Sequence, residues 1–208
     1  ADKAMRKAGQ ELTDIRKKAA AKLAEEITKE LKPLGFAQSF FEVSVIEREP
    51  ILSGMDEVVF SFAPNPGEPS MPLRSIASSG EIARVMLAVK SVLAEHDSIP
   101  LLVFDEIDSN VGGEIGRAVG EKLRRLSKTH QVISITHLPQ VAAFGDAHFS
   151  VSKRVEDNRT LAEIKQLNDE TRTVELARML GGSDITSVVL AHAKELILSS
   201  RQTSQISQ

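Results

Sequence analysis

The most regular hydrophobic pattern lies at the start of the chain. Met5, Ala8, Leu12, Ile15 and Ala19 are spaced 3, 4, 3, 4, and Leu23, Ile27 and Leu31 continue at four-residue steps. This predicts a helix over residues 1 to about 32. Its apolar stripe is narrow and its flanks are charged, as on a coiled-coil seam, so it reads as the returning end of a longer coiled coil. A solvated helix packed on its own domain is the plainer alternative. Pro33 and Gly35 end the helix.

Beyond Gly35 the period changes. Residues 40–46 and 57–62 read as two strands, with Pro50 and Ser53-Gly54 between them, so a hairpin is expected. Residues 63–72, with four prolines, form a loop. Ile82, Val85, Met86, Val89 and Leu93 return to helical spacing, giving a helix over about 79–96. A strand at 101–105, a helix at about 113–128 and a short strand at 132–135 follow. Residues 147–154 and 160–166 are expected to pair around Asp157-Asn158. Helices near 171–180 and 185–199 close the chain, separated by Gly181-Gly182, and the polar tail from 201 to 208 is expected to be loose. Alternating strands and helices in the middle predict an α/β fold with a largely parallel central sheet flanked by helices.

Composition alters this picture little. The chain has 208 residues, 41% hydrophobic and 26% charged, which suits a globular domain with an appendage. It has no cysteine, which excludes disulfides and thiolate metal sites. The net charge of −3 carries no overall basic signature of a nucleic-acid binder. Residues 1–32 hold nine Lys/Arg against six Asp/Glu, a local excess of +3 that leaves −6 on the remainder. No apolar run approaches the roughly 20 residues of a membrane span, and no signal peptide is visible. The chain opens on Ala1 rather than Met, the expectation for a fragment or a processed chain.

Candidate chemistry gathers at the two central strand ends. The first runs into Asp105-Glu106 and the second into Thr136-His137. Parallel strands of an α/β sheet present their carboxyl ends on one rim, where ligands bind. A carboxylate there suits a hard cation such as Mg²⁺, which takes oxygen ligands and keeps several waters. A second carboxylate can polarise an attacking water, and a histidine can meet a terminal phosphate. Together they suggest nucleotide hydrolysis. Taken singly, two acids after a strand simply cap the next turn, and a lone histidine is more often structural. Ser78 and Glu81 fit an S-x-x-E capping box, which is sufficient by itself. The same helix start also exposes backbone N–H groups that favour an anion.

In their order, these stretches resemble the C-terminal lobe of an ABC-type ATPase head. "PLRSIASSGEIARVMLAVK", "FDEIDSNVGG" and "SITHLPQVAA" are similar to the RecN family of DNA repair proteins, relatives of the SMC proteins. The resemblance implies that Asp105 is the Walker B carboxylate holding Mg²⁺ through water and that Glu106 is the general base. It implies that His137 is the switch histidine near the γ-phosphate. Asp108, with Ser109 and Asn110, falls in the D-loop that crosses between heads. Ser78, Ser79, Gly80 and Glu81 match the signature motif, which contacts ATP held by the opposite subunit. The family usually has Gly where Ser79 stands, so a side chain there would crowd the phosphate or shift the helix start. Arg84 is expected to support the helix or the interface, with no catalytic role.

A phosphate loop, G-x-x-x-x-G-K-[ST], is missing, since the chain contains no Gly-Lys pair. The resemblance places that piece in an N-terminal lobe beyond the coiled coil. The expected organisation is therefore a returning coiled-coil helix at 1–32, a C-terminal head lobe at 33–200 and a disordered tail at 201–208. ATP and Mg²⁺ are the expected cofactors. The expected partners are the missing lobe, a second copy joined through ATP, and DNA in double-strand break repair and recombination, in the cytoplasm at the nucleoid and with no membrane. This fragment alone is expected to be inactive. The alternatives are a non-hydrolysing protein- or DNA-binding module with the same fold, and a transporter ATPase, against which the coiled-coil-like arm and the missing loop argue.

Overall fold

Helix α1 spans Asp2–Leu31 and ends where the sequence requires it. Pro33 starts a 3₁₀ turn over Lys32–Leu34, and Gly35 takes φ +94°, a left-handed conformation that costs glycine little. The computed structural model describes the backbone of residues 2–156 and 159–206, with side chains of the last helix described as far as Gln202. The chain divides into two compact units, Ala1–Ser98 and Ile99–Gln208.

In the first unit α1 has two unlike faces. One buries Ala20, Ile27 and Leu31. The other leaves Met5 and Ile15 of the expected seam exposed. Strands β1 (Phe40–Ile51) and β2 (Gly54–Ala63) form an antiparallel ribbon, to which β3 (Met71–Pro72) adds a short third strand. The ribbon is longer than the hydrophobic runs suggest, because backbone pairing continues through Ile46↔Glu57 and Glu47↔Asp56 before a bulge.

The ribbon's tip docks on α1 through polar groups. Asp56, its side chain fully buried, accepts from the Thr13 hydroxyl at 2.6 Å and from the Arg16 guanidinium. Arg16 Nη2 also donates to the Ser53 carbonyl at 2.8 Å. Gly9 permits the close approach, since a Cβ there would lie 2.8 Å from Met55 Cγ. Helix α2 (Ser79–Leu93) buries Val85, Leu87, Ala88 and Val89. At the base of the ribbon Phe36 and Phe62 meet edge to face with centroids 5.1 Å apart.

The second unit is built around β4 (Leu101–Phe104) and β5 (Gln131–Ser134), parallel neighbours with Leu101 opposite Gln131 and Phe104 opposite Ser134. Helix α3 (Gly113–Leu126) connects them. A helix of four residues, α4 (Pro139–Ala142), follows β5; the sequence reading had no element there. Strands β6 (Phe149–Glu156) and β7 (Arg159–Gln166) form a hairpin. Its expected turn at Asp157-Asn158 lies outside the described residues. Helices α5 (Asp169–Gly181) and α6 (Ser187–Ile206) complete the unit. The backbone expected to be loose from residue 201 is helical as far as Ile206, and 207 and 208 lie outside the described residues.

Leu176, Ala177, Ala193 and Ile197 form a core with Ala142 and Ala143 at the end of α4. Arg172, buried, donates to the carbonyls of Ala142 at 3.2 Å and Ala143 at 2.8 Å. The Ser200 hydroxyl donates to Ala143 as well, at 2.8 Å. Helices α3 and α4 come close because α3 carries glycines on that side. A Cβ at Gly116 would lie 2.9 Å from Leu138 Cδ1, and one at Gly120 would fall inside the Phe144 ring's van der Waals envelope.

Two outcomes follow from these contacts. The Thr13 hydroxyl, then the Arg16 guanidinium, hold the Asp56 carboxyl below its ordinary value, against the opposing effect of burial. A depressed folded value gives stability that is present above the unfolded aspartate value, near ~3.9, and lost as the pH falls through the folded one. Melting curves of wild type and Asp56→Asn should therefore differ at neutral pH and converge in acid. A gap that stays constant into acid would remove the charge from the explanation. In the second unit, Gly120→Ala should destabilise by about 1–3 kcal/mol through overpacking against Phe144, read as a lower denaturant midpoint at unchanged slope.

Candidate active site

The loop after β4 sorts its residues by direction. Asp105 and Glu106 are exposed, Ile107 and Asp108 are fully buried, and Asn110 is exposed again. Two left-handed residues make this sharp reversal, Glu106 at φ +56° and Asn110 at φ +58°. Asparagine tolerates that region; glutamate adopts it at a cost that the surrounding loop must offset. Ser109 N–H donates to the Glu106 carbonyl at 3.0 Å and closes the turn.

The buried Asp108 carboxylate reaches the end of β5. Its Oδ2 accepts from the Thr136 hydroxyl, from His137 N–H at 3.1 Å and from Leu138 N–H at 3.0 Å. Its Oδ1 faces His137 Nδ1 at 3.4 Å. The ladder between the strands extends one step past Ser134, with Ile135 N–H donating to the Phe104 carbonyl at 2.9 Å. The acidic pair and His137 thus leave neighbouring parallel strands at the same end, and Asp108 ties the two loops together. The His137 side chain remains 67% exposed. The resemblance expects Asp108 in a loop that crosses to a second head. Its carboxylate is instead turned inward, and Asn110 is the exposed member of that loop.

The segment Ser78–Glu81 belongs to the first unit. Ser78 is the N-cap of α2, its hydroxyl accepting from Glu81 N–H at 3.3 Å. The Ser78 carbonyl accepts from Ile82 N–H at 3.0 Å. Ser79 is exposed and Gly80 buried. The serine at position 79 therefore leaves the helix start where S-x-x-E puts it, with its side chain directed outward. One turn further on, the Arg84 guanidinium stacks over the Phe36 ring at 5.2 Å and is buried. Burial lowers its pKa, and Glu81 opposes the shift.

Sequence reasoning did not foresee two of these placements, the inward turn of Asp108 and the stacking on Phe36 of Arg84, for which only support of the helix or the interface was expected. A signal existed for Arg84, which lies next to Val85 on the buried stripe of α2. None existed for Asp108, because an acid after a strand reads the same whether it points in or out.

The donor set limits what cation fits. Asp105 offers an exposed carboxylate, and among the described residues no group of three or more His, Asp or Glu is placed to hold a metal. An exposed single carboxylate of this kind fits Mg²⁺, which binds through one or two carboxylates and keeps its own waters.

Comparison with known proteins gives the chain's kinship. No family model matches it. DNA repair protein RecN of Halalkalibacterium halodurans is 41% identical over 191 residues, covering 89% of this chain and 34% of that protein. RecN of Rickettsia felis is 44% identical over 180 residues, covering 86% and 33%, and RecN of Bacillus subtilis 38% over 202 residues, covering 89% and 35%. The chain thus spans about one third of the length of the relatives it matches. An Smc head domain with an extended coiled coil from Pyrococcus furiosus superposes with TM-score 0.57 at 20% identity, over 86% of this chain and 42% of that one. A chain from an SMC ATPase study superposes with TM-score 0.51 at 19% identity, over 83% and 99%. These likenesses show the fold. By sequence, over nearly nine-tenths of its length, this chain is similar to about one third of the length of the RecN proteins, and its fold is like that of solved Smc head domains.

Proposed function

We propose that the chain is the C-terminal lobe of a RecN-type ATPase head, acting in DNA double-strand break repair in the cytoplasm. The observation that carries this reading is the exit of Asp105, Glu106 and His137 from one end of two adjacent parallel strands. Asp105 would hold Mg²⁺ through water. Bound there, the ion would neutralise charge on the transferring phosphoryl oxygens. Glu106 orients and deprotonates the attacking water, and His137 faces the terminal phosphate. With no Gly-Lys pair, the chain has no phosphate loop of its own, so the nucleotide is held by an N-terminal lobe and the fragment alone is inactive. The N-terminus of α2, from Ser78 to Glu81, meets ATP carried by a second head, where the positive end of the helix dipole favours an anion. ATP then joins two heads and hydrolysis releases them. DNA binding belongs to the whole protein.

The sheet supports a missing lobe. Leu101, Val103, Ile133 and Ile135 are all exposed on one face of β4–β5, between 44% and 59%. Parallel sheets are ordinarily covered on both faces. A bare apolar face of this kind suits a lobe supplied by the rest of the protein.

A second reading rests on Ser79, which stands where the family usually has glycine. On that reading the fold is retained as a binding module that does not hydrolyse ATP.

Reconstitution with the N-terminal lobe separates the two. ATP turnover should appear, and Glu106→Gln should lower it by about 10²–10⁴-fold, the usual loss of a general base, while ATP-driven head pairing persists. Equal turnover by the variant would end the proposed role of Glu106. Heads that never bind ATP yet retain a DNA or protein partner would favour the binding module. Val103→Asp should prevent the two lobes from co-purifying while leaving the melting temperature of the 208-residue chain nearly unchanged. Undiminished co-purification would move the docking face elsewhere.

A further inference from the structure

We propose that Asp108 is a positioning residue for His137: its carboxylate holds the imidazole with Nδ1 turned inward, so that Nε2 is the nitrogen presented outward. This rests on the reading of His137 as the residue that faces the terminal phosphate.

Asp108 is wholly buried, with no exposed surface. A buried carboxylate is costly unless donors surround it. Oδ2 has three donors, all from the residues that follow β5: the Thr136 hydroxyl, His137 N–H and Leu138 N–H. Oδ1, also buried, makes no hydrogen bond in this state. The polar atom facing it is His137 Nδ1, at 3.4 Å. That is longer than a formed N–H···O bond, typically about 2.7–3.2 Å.

The chemistry of the pair fixes the tautomer. An ionised carboxylate only accepts, so the facing nitrogen must carry a hydrogen. Which ring nitrogen is protonated in a histidine is set by the bond that the other one makes. The neutral His137 ring is therefore the Nδ1–H form, and Nε2 is left with its lone pair toward the site. Three bonds to the backbone and hydroxyl of the loop keep the carboxylate from turning, so the ring's inner partner is stationary. Asp108 acts through His137 and does not itself touch nucleotide.

The conservative variant Asp108→Asn tests this directly. The side-chain oxygen must stay where three donors point, which puts the amide NH₂ against Nδ1. Nδ1 then has to accept, and the proton of the neutral ring moves to Nε2. Ring ¹⁵N shifts of the 208-residue chain at alkaline pH read the tautomer, with the His137 signals assigned by their loss in His137→Ala. The expected result is Nδ1–H in wild type and Nε2–H in Asp108→Asn. An Nε2–H ring in wild type, or one that ignores the substitution, would overturn the proposal, and the wild-type measurement decides even if the variant folds poorly.

Turnover in the whole protein gives an independent reading. Asp108→Asn should lower kcat about tenfold, the usual scale for losing an outer partner that orients a reacting group, with little change in KM. In a His137→Ala background the same substitution should have almost no further effect, because residues that act as a unit are not additive. An equal loss in both backgrounds would mean that Asp108 acts by another route. If His137→Ala turns over like wild type, the phosphate-facing reading of His137 fails, while the ring shifts still decide whether Asp108 sets the tautomer.

Discussion

The arrangement of the second unit depends on one buried charge. Asp108 has no solvent to satisfy it, so its donors must come from protein, and they come from residues 136–138. Pulling the end of β5 away from the loop after β4 would leave that carboxylate unpaired in the interior, a change that typically costs several kcal/mol. The two strand ends are therefore tied together by this carboxylate as well as by the four-residue ladder between them. The same demand accounts for the left-handed backbone at Glu106 and Asn110. A chain leaving a strand can direct one acidic pair outward and the next acid inward only by reversing sharply in between.

The helices around this loop obey a second constraint, close approach. Gly116 and Gly120 let α3 come against Leu138 and Phe144, on either side of the short helix α4. The far end of α4 is held by Arg172 and Ser200, which donate to the carbonyls at its C-terminus. His137 is exposed, yet the residues after it are fixed at both ends of α4. The side chain proposed to face the phosphate thus sits on backbone with little freedom, with its ring nitrogen Nδ1 facing Asp108.

How much of this was legible depends on the kind of signal. Helix α1 and the strand β4 stood out because apolar residues repeat or run together there. The docking face of α1 did not, because Gly9, Thr13 and Arg16 meet the ribbon through smallness and hydrogen bonds, which no hydrophobic period records. The ribbon outran its apolar runs because backbone pairing accepts the acidic pair Glu47↔Asp56 in the ladder. Helix α4 has four residues, too few to show a period. Among the site residues, order along the chain pointed to Asp105, Glu106 and His137. The direction of Asp108 required a three-dimensional partner at 136–138, and sequence spacing carries no trace of it.

A parallel pair of strands with one bare face is a poor folding unit by itself, since such sheets draw their stability from cover on both sides. The neighbouring β6–β7 hairpin has the same deficit: Phe149, Val151, Val155 and Ile164 are all exposed, and Val151 pairs with Ile164 across the strands. A lone two-stranded hairpin is marginal in water. Both sheets of the second unit thus end in unpaired edges and uncovered apolar surface, within a chain that spans about a third of its relatives. On the proposed function, both would be covered by the N-terminal lobe. The acidic pair and His137 are built without it, because Asp108 joins their loops within this unit alone. On the proposed function, that lobe would supply the grip on the nucleotide, and chemistry at this rim would wait on its docking.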